Sequence, residues 1–327
     1  MDSSASVLLS SPSKLENHQE TNSHIQKGGI APFIDSSYLQ KQSHVPTGFI
    51  WPESHLVAAL EELNEPLVDL EGFFKGDAVA TEHAAKLIRA SCLSHGFFQV
   101  TNHGVDPNLL KLADDHMDHF FKLPVEEKAK VKRVPGSPWG YSGSHADRFS
   151  TNLPWKETLS FGFQANGTDT VVADFFKSKL GEDFEQTGLG VDRMHYREFF
   201  EDAHSIMRCN FYPTCQEPSL TLGTGPHCDP TSLTILNQDQ VGGLDVFVNK
   251  KWHSVRPIQG ALVINIGDTF SVVKPPEDLL RKEQETRKYP DFTWSDLLRF
   301  TQYHYRADEA TLQNFTNWFL SESNATN

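Results

Sequence analysis

Apolar residues in this chain recur with two different periods, and the change falls near residue 205. Between residues 78 and 94, Ala84, Leu87, Ile88 and Leu93 lie close to one helical face and Gly96 follows as a stop, so the spacing predicts an amphipathic helix. Pro66-Leu67-Val68-Asp69-Leu70 before it and Phe97-Phe98-Gln99-Val100 after it read as short strands, the second closed by Asn102-His103-Gly104. Asp106 as N-cap and Pro107 at the first helical position open a second helix, which carries Leu109, Leu110, Leu112, Met117, Phe120 and Phe121 to about Leu123. Beyond 205 the runs shorten to strand length: 206–212, 232–236, 244–248, 252–255 and 261–266. Turn residues such as Gly242-Gly243 and Asn249-Lys250 separate them, the pattern of an antiparallel sandwich or jelly roll. Helical spacing returns after Pro275-Pro276, over 278–288, 294–305 and 308–320. The fold expected is mainly β with flanking helices.

Composition narrows the classes. With 29 basic and 43 acidic side chains among 327 residues the net charge is −14, a field that repels nucleic acid and anionic membranes. The length supplies a core without help from disulfides or a structural metal. The cysteines at 92, 209, 215 and 228 form no CxxC pair, which suits a reducing compartment. Residues 1–30 are rich in Ser, Asn, Gln and His and read as a disordered tail without a signal peptide. No apolar window reaches membrane-spanning length, so a cytoplasmic protein is expected. The expected organisation is that tail, then an α+β region over 31–165, a helical connection over 166–204, a β core over 205–273 and helices over 274–327.

The chemistry centres on His-x-Asp. Alternate residues of a strand share a face, so this spacing presents an imidazole and a carboxylate together, two of the three protein ligands of a non-haem iron site. Three such triplets occur. His116-Met117-Asp118 falls on the second helix, where i and i+2 diverge, and His145-Ala146-Asp147 sits in a Gly/Ser-rich loop that reads as solvated. His227-Cys228-Asp229 lies between a Gly/Pro turn and an apolar strand, with His227 and Asp229 expected to face inward. On context alone a ligand pair and an ordinary core or surface pair are evenly balanced. Elsewhere His103 reads as a hydrogen-bonded turn residue, Cys215 as a small buried hydrophobe, and Glu126-Glu127-Lys128 as a solvated face.

Several longer segments carry a family resemblance: GFFQVTNHGV (96–105), LPWKETLSFGF (153–163), NFYPTCQEP (210–218), LGTGPHCDPTSLTIL (222–236), DQVGGLDVFV (239–248), VINIGDTF (263–270) and YPDFTWSDLLRF (289–300). Together they resemble the plant 2-oxoglutarate- and Fe(II)-dependent dioxygenases, and the gibberellin 20-oxidases in particular. The resemblance implies a double-stranded β-helix, Fe(II) bound by His227 and Asp229, and 2-oxoglutarate hydrogen-bonded by Tyr212, with Asn210 shaping that strand. It also implies a monomer acting on twenty-carbon gibberellins, apolar acids, with ascorbate as a further cofactor. Trp155, Lys156 and Phe161 of LPWKETLSF are the candidate substrate residues; Lys156 either faces a carboxylate or lies on an edge strand and runs to water.

The sequence departs from that family in two places. After Phe270 the chain passes directly into Ser271-Val272-Val273-Lys274, without the stretch that supplies the distal His and the Arg-x-Ser pair that clamps 2-oxoglutarate. His253 and His304 lack the right context, and Arg89-Ala90-Ser91 and Arg148-Phe149-Ser150 lie far upstream. A helical segment is also missing at the 188/189 junction. The expected result is an incomplete jelly roll that holds iron weakly and turns over poorly, or a non-catalytic binding form.

Overall fold

The computed structural model describes residues 34–56, 58–134, 137, 139–146, 151–164, 204–268, 290, 292, 294–303 and 311–325. The expected tail over 1–30, the helix over 278–288 and the junctions at 188/189 and 270/271 lie outside the described residues. So does the connection over 166–204, except His204. No helix among the described residues is long and apolar enough to cross a membrane.

Helices α1 (Ser36–Gln40), α2 (Glu71–Phe74), α3 (Ala78–Ser94), α4 (Pro107–Lys122) and α5 (Val125–Ala129) belong to the first half, and α6 (Trp294–Tyr303) and α7 (Thr311–Ala325) to the C-terminal end. The strands are β1 (Glu61–Glu62), β2 (Leu67–Asp69), β3 (Phe97–Thr101), β4 (Gly140–Gly143), β5 (Glu157–Gln164), β6 (His204–Phe211), β7 (Leu233–Leu236), β8 (Asp245–Val248), β9 (Lys251–Ser254) and β10 (Leu262–Ile266). They form three sheets, ordered β2-β3-β10-β7, β4-β5-β6 and β1-β9-β8. The expected caps operate: Asp77 accepts from Val79 and Ala80 at the start of α3, and Asp106 accepts from Asn108 ahead of Pro107 in α4. Asn249 and Lys250 both take positive φ, 50° and 66°, and turn β8 into β9 as a two-residue hairpin.

β10 carries the chain across the molecule, antiparallel to β3 on one side and to β7 on the other. Under that sheet, Val68, Ala84, Phe98, Val100 and Leu262 form one core with the apolar face of α3. A second core joins Phe120 and Phe121 of α4 to Tyr141, Leu159 and Phe161. Burial of each such phenylalanine is worth about 1.5–3 kcal/mol. α6 and α7 close a separate cluster through Leu297, Phe300, Leu312 and Phe315.

β5 lies between β4 and β6, paired on both edges, and so is a central strand. Its period of two sorts the LPWKETLSF residues. Leu159 and Phe161 face the apolar core, with Glu157 on the same side, and Lys156, Thr158 and Ser160 alternate to the other. Glu157, although 0% exposed, is fully engaged. Its carboxylate accepts from Lys128 Nζ at 2.8 Å, from the Tyr141 hydroxyl at 2.5 Å and from the Ser36 backbone N–H at 2.5 Å. Lys128 Nζ also pairs with Asp35 at 3.2 Å and donates to the Phe121 carbonyl at 3.2 Å.

This overturns the reading of Glu126-Glu127-Lys128 as a solvated face. Glu127 pairs at the surface with Lys130, whereas Lys128 is 1% exposed because the short helix α5 turns one residue of its five inward. Burial works to raise the Asp35 carboxyl, but hydrogen bonds from Tyr38 and Ser37 and the Lys128 charge hold it below the usual carboxylate range. Burial, reinforced by Glu157, pushes the Tyr141 phenol far up, so that it stays protonated and donates. Lys128→Met leaves two carboxylates buried without a counter-charge and is expected to cost about 3–5 kcal/mol. A fall in the urea midpoint at unchanged slope checks this.

Candidate functional site

The Gly/Pro turn ahead of β7 folds as an irregular loop, not as a strand, so period-two alternation does not bring His227 and Asp229 together. Neither is fully inward, their side chains being 32% and 27% exposed. The loop itself makes the approach: His227 Nε2 lies 3.4 Å from Asp229 Oδ1. The other ring nitrogen fixes the imidazole, since Nδ1 is 2.8 Å from the Gly225 carbonyl and a carbonyl only accepts. Nδ1 therefore carries a proton, and Nε2 is the ring nitrogen turned to the carboxylate.

Asp229 is held by residues that the sequence did not single out. Its Oδ2 accepts from Thr234 Oγ1 at 2.6 Å and from Asn265 Nδ2 at 3.0 Å. Thr234 and Asn265 are direct cross-strand partners in the β7–β10 register, so the sheet offers two donors side by side. Burial acts to raise the Asp229 carboxyl, but hydrogen bonds from His227, Thr234 and Asn265 outweigh it and keep the group ionised far below the usual carboxylate range. Behind the dyad, Asp268 N–H donates to the Asp229 carbonyl at 2.8 Å and Gly267 N–H to Ser232 at 2.9 Å. A Cβ at Gly267 would fall 2.0 Å from the Thr231 carbonyl, so only glycine lets the end of β10 come this close. The signal for both positions was present in PTSLTIL and VINIGD, but a donor pair across two strands becomes visible only once their register is known.

An imidazole fixed through Nδ1, with Nε2 beside an ionised carboxylate, supplies the donor types of two protein ligands to Fe(II). Among the described residues no third His, Cys, Asp or Glu joins them.

A polar wall continues from the dyad to β5. Lys156 is 5% exposed and donates through Nζ to Thr224 Oγ1 at 2.8 Å. Burial first, then the Arg208 and Arg133 charges, pull its ammonium down to about 7. The edge-strand reading of Lys156 is thus corrected, because β5 is paired on both sides and the residue before it is enclosed. The Tyr212 hydroxyl approaches Thr224 Oγ1 at 3.5 Å. Gly223 leaves room for the Tyr212 ring, which a Cβ there would meet at 2.6 Å. On β6, Asn210 Oδ1 accepts from Thr158 at 3.0 Å, and Arg208 Nε donates to Ser160 at 3.2 Å.

Trp155 and Phe161 do not join this wall. Phe161 packs with Phe120, Phe121 and Tyr141 on the opposite side of β5 from Lys156. Trp155 sits in a cluster with Leu39, Val45, Phe49 and Leu153, its indole N–H donating to the Pro213 carbonyl at 3.0 Å. Cys215 packs against that cluster, and His103 accepts from the Val105 N–H in its turn. The open cleft between 92–96 and 247–249 shares no residue with the dyad or the polar wall.

Two measurements follow from this geometry. Thr234→Val with Asn265→Leu removes both strand donors from Asp229 and is expected to weaken Mn(II) or Co(II) binding by about 10–100-fold, read by titration of the purified protein. The second concerns Lys156, whose folded-state pKa lies below its unfolded value. The unfolded chain then binds the extra proton between about pH 7 and 10.5, so this group's stability penalty is largest at and below pH 7 and fades as pH rises. Lys156→Met is expected to raise the melting temperature at pH 7, and the difference from wild type is expected to shrink by pH 10.

Comparison with known proteins agrees with the geometry. The chain matches the family "non-haem dioxygenase in morphine synthesis N-terminal" over residues 66–178 and the "2OG-Fe(II) oxygenase superfamily" over 203–278. Gibberellin 20 oxidase 2 of Oryza sativa subsp. japonica is 45% identical over 340 residues, covering 86% of each chain. Gibberellin 20 oxidase 2 of Arabidopsis thaliana is 42% identical over 380 residues, covering 97% of this chain and 99% of the relative. The rice alignment spans 340 positions but takes in only about 280 residues of this chain, so about 60 of its positions face internal gaps. Among solved structures, JOX2 in complex with 2OG, Fe and JA superposes with a TM-score of 0.66 at 25% identity, covering 87% of this chain and 98% of that one. The dioxygenase for auxin oxidation in rice gives a TM-score of 0.57 at 24% identity, over 76% and 98%, and shares the fold. An oriented His-x-Asp pair on a β framework, with identity of this depth over most of the chain, places the protein in the gibberellin 20-oxidase family of 2-oxoglutarate- and Fe(II)-dependent dioxygenases.

Proposed function

We propose that the protein oxidises C-20 of twenty-carbon gibberellins, consuming 2-oxoglutarate and O₂ and releasing succinate and CO₂. The observation that carries the reading is the dyad: His227 locked by the Gly225 carbonyl, and Asp229 kept ionised by Thr234 and Asn265. Its relatives at 42–45% identity bear the gibberellin 20-oxidase name. His227 and Asp229 would hold Fe(II), and Tyr212, with Asn210 supporting β6, would hold the co-substrate. The bound iron and 2-oxoglutarate supply the oxidising chemistry. The chain's own part is placement. Asn265 and Thr234 keep Asp229 in one rotamer and one protonation state, Lys156 and Tyr212 offer donors to an anion, and Phe161 packs on the opposite side of β5. The protein is read as a cytoplasmic monomer whose partners are small acids, with ascorbate as a reductant and no nucleic acid or membrane surface.

The pair of donors found among the described residues also bears on iron retention. Fewer protein ligands mean faster loss, so a chelator is expected to strip the metal within the assay and added Fe(II) to restore turnover. The deciding experiment incubates the purified chain with Fe(II), 2-oxoglutarate, ascorbate and a twenty-carbon gibberellin. Gibberellin-dependent succinate release is expected, abolished by His227→Ala. Absence of succinate from a folded, iron-supplied protein would sink the reading and favour a non-catalytic binding form.

A further inference from the structure

The cation in the polar wall is the feature that the functional reading leaves unassigned. Lys156 is buried, yet among the described residues no carboxylate pairs with it, in contrast to Lys128, which has two. Burying an ammonium without a counter-ion is costly, so such a group is retained where an anion arrives to complete it. Its surroundings raise that cost, since Arg208 and Arg133 both act on it as like charges. The ammonium has three N–H donors, and among the described residues only Thr224 accepts from it. Thr224 spends its own hydroxyl hydrogen on the Gly223 carbonyl at 2.9 Å, so its oxygen faces Lys156 and Tyr212 as an acceptor. Two donors, an ammonium and a phenol, thus converge on one point beside the loop that carries the dyad.

We infer that Lys156, with Thr224 and Tyr212, forms the seat for the far carboxylate of the 2-oxoacid co-substrate. The inference rests on the dioxygenase reading and adds the residue that selects a dicarboxylic 2-oxoacid over a monocarboxylic one. The wall's character favours the co-substrate over the gibberellin's own carboxylate. On the Lys156 side β5 presents Thr158 and Ser160, joined to Asn210 and Arg208. The aromatic side chains of the same segment, Trp155 and Phe161, are packed into separate cores. A compact dianion suits such a surface; an apolar diterpenoid does not. Tyr212 has a half-exposed ring, which leaves this point open to solvent from one side.

The test is equilibrium binding by calorimetry to the full chain loaded with Mn(II) in place of iron, so that no turnover intervenes. The probes are 2-oxoglutarate, 2-oxopentanoate, which carries a methyl group in place of the far carboxylate, and a twenty-carbon gibberellin acid. Wild type is expected to prefer 2-oxoglutarate by about 30-fold, the scale of one charge-assisted contact. Lys156→Met is expected to remove the preference by weakening 2-oxoglutarate alone. Lys156→Arg is expected to keep most of it, and Thr224→Val to lose several-fold with the fold intact by circular dichroism. Should Lys156→Met fail to fold, Lys156→Arg and Thr224→Val carry the test by the same preference ratio. Unchanged discrimination in a folded Lys156→Met or Thr224→Val overturns the inference while leaving the dioxygenase reading standing. Loss of binding only for a gibberellin acid also overturns it and assigns Lys156 to the substrate. If wild type binds neither oxoacid, the dioxygenase reading falls and takes this inference with it.

Discussion

The organisation of the described structure depends on one buried charge cluster, Lys128 between Asp35 and Glu157 with Tyr141 closing it. Removing these charges from water is expensive, and only their mutual completeness makes it tolerable. The cluster is also an address. Asp35 comes from the segment that starts α1, Lys128 from α5, Tyr141 from β4 and Glu157 from β5, so four separate stretches meet where one ammonium finds two carboxylates. Hydrophobic packing against Phe120 and Phe121 supplies much of the energy there, but it tolerates slippage, and the ion cluster does not.

That anchoring has a consequence on the other side of β5. A strand whose odd-numbered residues are fixed in a core must send its even-numbered residues the opposite way. Glu157 therefore sets the direction of Lys156 and Thr158, although it touches neither Thr224 nor the dyad. The same sheet brings in β6, whose Asn210 and Arg208 bond to Thr158 and Ser160. A motif that reads as one functional block thus has two jobs on alternate positions, structural support and a polar lining. The dyad is built on the same logic in the other sheet, where the β7–β10 register sets Thr234 opposite Asn265 and the pair grips Asp229.

Much of this was legible in the chain. Helices α3 and α4 announced themselves through apolar periodicity and their Asp caps, and the strands after 205 through apolar runs between turn residues. His227 and Asp229 stood out by spacing, though the argument that made the spacing meaningful assumed a strand, whereas a loop performs the task. Lys128 was misread because a charged triplet ordinarily faces water, and nothing local says that Glu157, 29 residues on, will come to meet it. Phe161 was assigned to the substrate because aromatic residues in a functional motif invite that reading, and only the side of β5 on which it falls decides otherwise.

The sequence by itself determined the family, most helices and strands, and the His227–Asp229 pair as a candidate. These follow from local patterns and residue identity, which survive without coordinates. Tertiary structure decided which charges are completed and which are not. Lys128 and Lys156 are the same residue type in short polar contexts, yet one meets two carboxylates and the other only a hydroxyl among the described residues. The physical reason is that a charge's role is set by burial and by partners distant in sequence, which strand register and sheet order alone bring within hydrogen-bonding reach.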